Sequence, residues 1–238
     1  MLYALTLNMK SIIGTKIGMT QIYLEKGEAV PVTVISCGPC VVTKVKTVKT
    51  DGYNAVQVGY QTVSEKKLNK PKIGHFKKAG TGLFKVLKEF RVDNPADYKL
   101  NQEIKTDIFS AGDFVDVTGV SKGHGFQGVV KRHGFSKGPV THGQSDKLRS
   151  PGTIGAQRPQ KVRKGLRMAG RMGGVGSTIQ KLKVVKIIPE KNILLVKGAV
   201  PGVKNGQVII TETVKKVKVK PVVVQKEAKK AVRKSEKK

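Results

Sequence analysis

Short runs of β-branched and aliphatic residues, each broken by Gly, Pro or Asp-Gly, fill much of the first sixty positions. SIIGTKIG, AVPVTVIS, CVVTKVKTV and NAVQVGYQ have the length and side-chain type of strands. The pattern returns toward the other end of the chain. KVVKIIP and NILLVKGAV, between Leu182 and Val200, flank a Pro-Glu-Lys turn, and GQVIIT supplies another strand. Regularly spaced short strands at both ends predict a β-barrel closed by the N- and C-terminal parts of the chain. Between them, Ser64 to Gly80 (SEKKLNKPKIGHFKKAG) places Lys, Leu and His-Phe as in short helical turns. FKVLKEFRV reads as strand, with helix as the alternative. The expected fold class is mainly β: a barrel core over residues 9–117 and 179–210, with a small mixed α/β insertion near 64–112.

Residues 118–178 follow neither period. A structureless stretch of that length does not sit as an ordinary loop on a compact domain, and too few apolar residues occur there to build a second core. Charge sharpens the picture. The 238-residue chain carries 46 Lys and Arg against 16 Asp and Glu, a net charge of +30. A surplus of that size strains a compact monomer unless a polyanion neutralises it, which argues against a free-standing metabolic enzyme. The surplus is segregated. Residues 1–117 are net +6, residues 118–178 are net +11 with one acid (Asp146), residues 179–210 are net +5, and residues 211–238 are net +8. The 118–178 stretch also holds 14 of the 27 glycines. Glycine lets backbone approach a phosphate chain closely, while Lys and Arg neutralise it. This is the composition of an extended arm threaded through nucleic acid. The tail 211–238 reads as a solvated basic tail, with an amphipathic helix after Pro221 as the alternative.

Three motifs invite catalytic readings. CGPC, Cys37 to Cys40, matches a thioredoxin-like redox motif, but its first Cys needs a helix N-terminus to lower the thiol pKa. A strand-like run follows instead, so a Gly-Pro turn between strands is the preferred reading. GHGFQG, Gly123 to Gly128, satisfies a dinucleotide fingerprint, yet at most six residues precede the next Gly and no βαβ unit follows. His124, His133 and His142 recur every nine residues, a period that fits neither one helix face nor a compact metal site; contact with bases or phosphate fits better. No catalytic constellation, cofactor site or metal site is expected. With two Cys a disulfide framework is excluded, and a reducing cytoplasmic setting fits. No run approaches a membrane span, and the N-terminus makes a poor signal peptide.

Several motifs together resemble a known family. GTKIGMTQI at 14–22, PVTVI at 31–35, GFQGVVKRHGF at 125–135, PGTIGA at 151–156, KGLRMAGRMG at 164–173 and NILLVKGAVPG at 192–202 occur in the order found in the bacterial-type large-subunit ribosomal protein L-three family. The resemblance implies a β-barrel similar to the second domain of translation elongation factors. It also implies a long internal extension that penetrates large-subunit ribosomal RNA toward the peptidyl transferase centre. It further implies binding early in subunit assembly, neighbouring large-subunit ribosomal proteins as partners, and neither membrane nor small-molecule substrate. The extension maps onto residues 118–178. Its RNA-binding candidates are Lys122, His124, Lys131, Arg132, His133, Lys137, His142, Lys147, Arg149, Arg158, Lys161, Arg163, Lys164, Arg167 and Arg171. The arginines are weighted above the lysines because a guanidinium both forks onto phosphate and stacks on bases. Phe126 and Phe135 either stack on RNA or pack locally. The family pattern Met-Lys-x-Ile-Ile-Gly falls at Met9 to Gly14, so residues 1–8 read as an added leader, or translation starts at Met9. Gln157 takes the place of a glutamine that is N-methylated in some members, although the loop here is one residue shorter. A free RNA-compacting or RNA-chaperone protein is the rival reading.

Overall fold

In the computed structural model, which describes residues 10–24, 27–158 and 160–215, the strand runs from the two ends of the chain lie side by side. The proposed leader and all of the basic tail beyond residue 215 fall outside the described residues. Strand β1 (Ser11–Tyr23) pairs antiparallel with β2 (Ala29–Cys37) on one side and with β12 (Gln207–Glu212) on the other. The ladder continues from β12 to β7 (Phe114–Val120), β10 (Gly176–Ile188), β11 (Ile193–Lys197) and back to β2, closing a six-stranded barrel. The protein is therefore mainly β. Closure gives every barrel strand two partners, so no edge stays open for pairing with another chain.

The pattern of the strands explains the closure. Ile12, Ile13, Val32, Ile35, Val115, Val117, Leu194, Val196, Val208 and Ile210 are all buried, and most alternate with more exposed neighbours. Bulges bend β1 at Lys16/Gly18 and β10 at Ile179/Leu182. The second bulge is held by a buried acid, as Asp116 of β7 accepts a 2.9 Å hydrogen bond from the Lys181 backbone N–H.

A second, four-stranded sheet runs in the order β5 (Phe84–Arg91), β4 (Ala55–Thr62), β3 (Cys40–Lys46) and β6 (Glu103–Ile104). Here the structure differs from the sequence reading. The separate unit begins at Cys40, not near residue 64, because β3 and β4 form a hairpin with each other instead of joining the barrel. The short α1 (Val48–Asp51) lies within that hairpin's connection. FKVLKEFRV is strand β5, paired with β4 from Phe84 to Arg91. Val42, Val56, Val58 and Tyr60 of this sheet share one buried cluster with Ile12, Ile35 and Leu194 of the barrel.

Helix α2 (Lys70–Ala79) covers the sheet. Pro71 sits in its first turn, where a missing N–H costs nothing, and Gly80 ends it in the left-handed conformation at φ 63°. Phe76 is fully buried and meets Phe84 edge-on at 5.9 Å between ring centres. Gly59 makes this packing possible, since a Cβ there would lie 2.6 Å from Cγ of Phe84. Gly59→Ala is therefore expected to destabilise the protein by about 1–3 kcal/mol. Thermal denaturation checks this, and an unchanged midpoint would contradict so close a Gly59–Phe84 contact.

Candidate nucleic-acid interface

Between Val120, the last residue of β7, and Gly176, the first of β10, the chain makes one long excursion from the barrel. The sequence offers no sustained period here, yet its two limbs pair at the root. The Ser121 N–H donates to the Val175 carbonyl at 2.9 Å, His124 to Met172 at 2.9 Å, Met172 to Gly125 at 2.9 Å and Gly174 to Ser121 at 3.2 Å. Strands β8 (Phe126–Gln127) and β9 (Gly170–Arg171) extend this ribbon, with Phe126 opposite Arg171. Such pairing has no hydrophobic alternation to announce it, because both faces are wet. Glycine is required at one point in particular. Gly173 has φ 73°, and a Cβ on it would run into the Lys122 carbonyl oxygen.

Beyond the ribbon comes α3 (Val129–His133), five residues long, starting after Gly128 and ending at Gly134. Val129 is the one residue between 121 and 175 that is fully buried among those described. From α3 the Arg132 guanidinium donates to the Met168 carbonyl at 2.8 Å, and His133 Nε2 lies 3.0 Å from the same oxygen. These contacts tie the outgoing limb to the returning one. They also give Arg132 and His133, both half-buried, an intramolecular role that the sequence does not reveal.

The other candidates face outward. Lys122, His124, Lys131, Lys137, His142, Lys147, Arg149, Arg158, Lys161, Arg163, Lys164, Arg167 and Arg171 are exposed, as is Gln157. None of the twelve Lys and Arg side chains of the excursion takes part in an ion pair among the described residues. The two phenylalanines divide. Phe135 is half-buried with its ring 6.1 Å from that of His133, whereas Phe126 is 77% exposed and offers its ring to solvent. An exposed ring beside exposed guanidinium groups suits stacking on an unpaired base.

One cation was not singled out in the sequence. Lys16 of β1 reaches the root of the excursion, where its ammonium donates to the carbonyls of Val200 at 2.7 Å and Gly202 at 3.2 Å. Burial, together with the nearby positive charge of Lys122, pushes its pKa down. A second positive charge near a partly buried ammonium favours an anion at this spot.

The motifs that suggested enzymes have structural roles. Cys37 closes β2 and Cys40 opens β3, with a cis Gly38-Pro39 turn between them. Both thiols are free and fully buried; Cys40 Sγ donates to the Ile13 carbonyl at 3.5 Å. Burial pushes the Cys37 thiol far up and Cys40 to about 11, the opposite of an activated redox pair. The unfolded thiols ionise near about pH 8.5 while the folded ones stay protonated, so unfolding releases protons above that pH. These two groups should therefore make stability fall as pH rises from about 8.5 toward 11. At pH 8 a thiol reagent should label neither Cys in the native protein and both after denaturation; rapid native labelling would contradict the buried placement. GHGFQG is followed only by the five residues of α3, too short for a dinucleotide-binding helix. Among the described residues, no group of three His, Cys, Asp or Glu side chains is placed to hold a metal ion, and no helix is long and apolar enough to cross a membrane.

Fold and site together define a class: a β-barrel scaffold that displays a glycine-rich, strongly cationic excursion. Comparison with known proteins narrows the class to one family. Residues 89–192 match the family model described as ribosomal protein L3. Over 206 residues the chain is 54% identical to the large ribosomal subunit protein uL3 of Heliobacterium modesticaldum, covering 87% of this chain and 98% of that protein. It is 53% identical over 206 residues to the large ribosomal subunit protein uL3 of Geobacillus stearothermophilus, covering 87% and 96%. The chain belongs to the ribosomal protein L3 family. Both relatives bear the names of ribosomal proteins, not of enzymes.

Proposed function

We propose that this protein is a structural constituent of the large ribosomal subunit, in the cytoplasm, and that it binds large-subunit ribosomal RNA directly through residues 118–178. The observation that carries this reading is the arm itself. Twelve Lys and Arg side chains lie on a segment anchored at its root by a paired ribbon, and no carboxylate among the described residues neutralises them. Charges so presented need an external polyanion. The barrel, which we take to be of the elongation-factor second-domain type, serves as the rigid base. The contacts are mainly to phosphate and sugar, so they recognise the shape of folded RNA. In this reading the protein joins early in assembly beside other large-subunit proteins, and the arm points toward the peptidyl transferase centre.

Co-sedimentation tests the proposal. The protein is expected to remain with the large subunit after a high-salt wash and to bind large-subunit RNA more tightly than unrelated RNAs of equal length. Loss in the wash, or equal affinity for unrelated RNAs, would favour a free RNA-compacting protein instead.

A further inference from the structure

Residues 92–117 hold six of the chain's 16 acids against two Lys. The ladder shows where the chain's last described residues lie relative to the arm. Val208 of β12 pairs with Gly119, beside the point where the arm leaves β7, whereas Glu212 pairs with Val115 near the other end of that strand. The length of β7, Phe114 to Val120, holds the two ends roughly 20 Å apart. Two clefts flank the residues that end β12. The lining of one, of about 460 Å³, includes Val92, Asp93, Glu212, Thr213 and Val214. That of the other, of about 550 Å³, includes Lys10, Asp97, Ile104, Asp107 and Ile108. The Glu212 N–H donates to the Lys10 carbonyl at 2.9 Å and so joins the two clefts. Within them the carboxylates outnumber their partners. Asp113 pairs with Lys10 at 3.4 Å and Glu103 with Lys105 at 3.3 Å. Asp93, Asp97, Asp107 and Glu212 pair with no cation among the described residues, in a chain that carries 46 Lys and Arg. Arg91, which also lines the first cleft, faces the Tyr53 ring instead, 5.7 Å from its centre. Thr213 Oγ1 is buried with no hydrogen-bond partner among the described residues.

We propose that these two clefts are the docking site of the chain's own cationic C-terminal segment, residues 216–238. The sequence supplies what the clefts lack. Residues 216–238 hold ten Lys and Arg against two acids, and the first of them follows Glu212 by four positions. Residues 216–220 read KVKVK. On an extended chain that alternation sets three lysines on one side and two valines on the other. It complements walls that carry both carboxylates and the apolar Val92, Ile104 and Ile108. Lysines act as mobile point charges and need no fixed partner geometry. Exposed ion pairs are weak one by one, but a segment joined to the body at Lys215 meets the clefts at high effective concentration. Docked there, the segment lies away from the arm and its charge is neutralised within the molecule. This inference needs no RNA and stands apart from the reading of the arm.

The test uses the full-length chain carrying Ser235→Cys, with a nitroxide on that thiol; Cys37 and Cys40 are fully buried and stay unlabelled. A segment free in solvent would hold residue 235 roughly 25 Å from Lys215 on average. If the segment docks, the NMR amide signals of Asp93, Asp97 and Asp107 should lose most of their intensity at low salt, while those of Phe126 and Gln127 in the arm keep theirs. Salt at about 1 M, where the screening length falls to about 3 Å, should restore them. Asp93→Asn, Asp97→Asn, Asp107→Asn and Glu212→Gln together should restore them at low salt. If that variant fails to fold, Lys216→Gln, Lys218→Gln and Lys220→Gln, which alter no described residue, should do the same. Full intensity at low salt, or a loss that neither salt nor these variants reverse, would overturn the proposal. So would signal loss in unlabelled chains mixed with labelled ones, which would give the clefts to the segment of a second copy. The lysine variant also separates docking from a grip on RNA. Docking predicts an unchanged slope of log RNA affinity against log salt; a slope shallower by about 2 would put the segment on RNA and overturn the proposal.

Discussion

Replacing residues 122–173 by Asn-Gly is expected to abolish most of the salt dependence of RNA binding while the barrel stays folded. Ser121 and Gly174 are hydrogen-bonded neighbours across the root, so a two-residue turn joins them without moving β7 or β10. The replacement removes all twelve Lys and Arg of the arm. If about two thirds of them neutralise phosphates, the slope of log affinity against log salt drops by roughly 6. Among the described residues of the deleted stretch Val129 alone is buried, so the melting temperature should change little. An unchanged slope would place the RNA contacts on the body alone and remove the arm from the mechanism.

Gly173→Ala is expected to produce the second large effect, with one methyl group. The left-handed conformation costs an alanine about 1–2 kcal/mol, and the collision with the Lys122 carbonyl adds to that. Together they should open the root by roughly 3 kcal/mol, enough to weaken RNA affinity by about ten- to a hundredfold if the arm must leave the barrel in one direction. Hydrogen exchange gives an independent readout. The amides of Ser121, His124, Met172 and Gly174, which close the root, should lose protection while those of β1 and β12 keep theirs. Retained protection at the root would show that the ribbon does not depend on Gly173.

How much of this was legible in the sequence depended on whether the cause was local. The Gly-Pro turn between Cys37 and Cys40, the strands through Val42 and Val58, and the helical turns around Phe76 follow from side chains next to one another. The pairing of β3 with β4 in a separate sheet did not, because a strand run does not name its partner. The root ribbon was missed for a related reason. His124 and Met172 bond across a wet segment where no apolar alternation marks the pairing. For the candidate site, composition located the cationic stretch, since charge and glycine content need no coordinates. It gave no sign that Arg132 and His133 are partly engaged by Met168, or that Lys16 joins the cluster from the start of the chain.

The seam between β1 and β12 also sets an order in time. Ser11 pairs with Thr211, so the barrel cannot close until almost all of the described chain has been made. At about 5–20 residues per second, β12 follows β1 from the synthesising ribosome by roughly 10–40 s. The cationic arm is complete before that moment. Nascent molecules therefore pass through an interval in which the arm is already available to a polyanion while its foundation is unfinished and the edges of β1 and β7 are open.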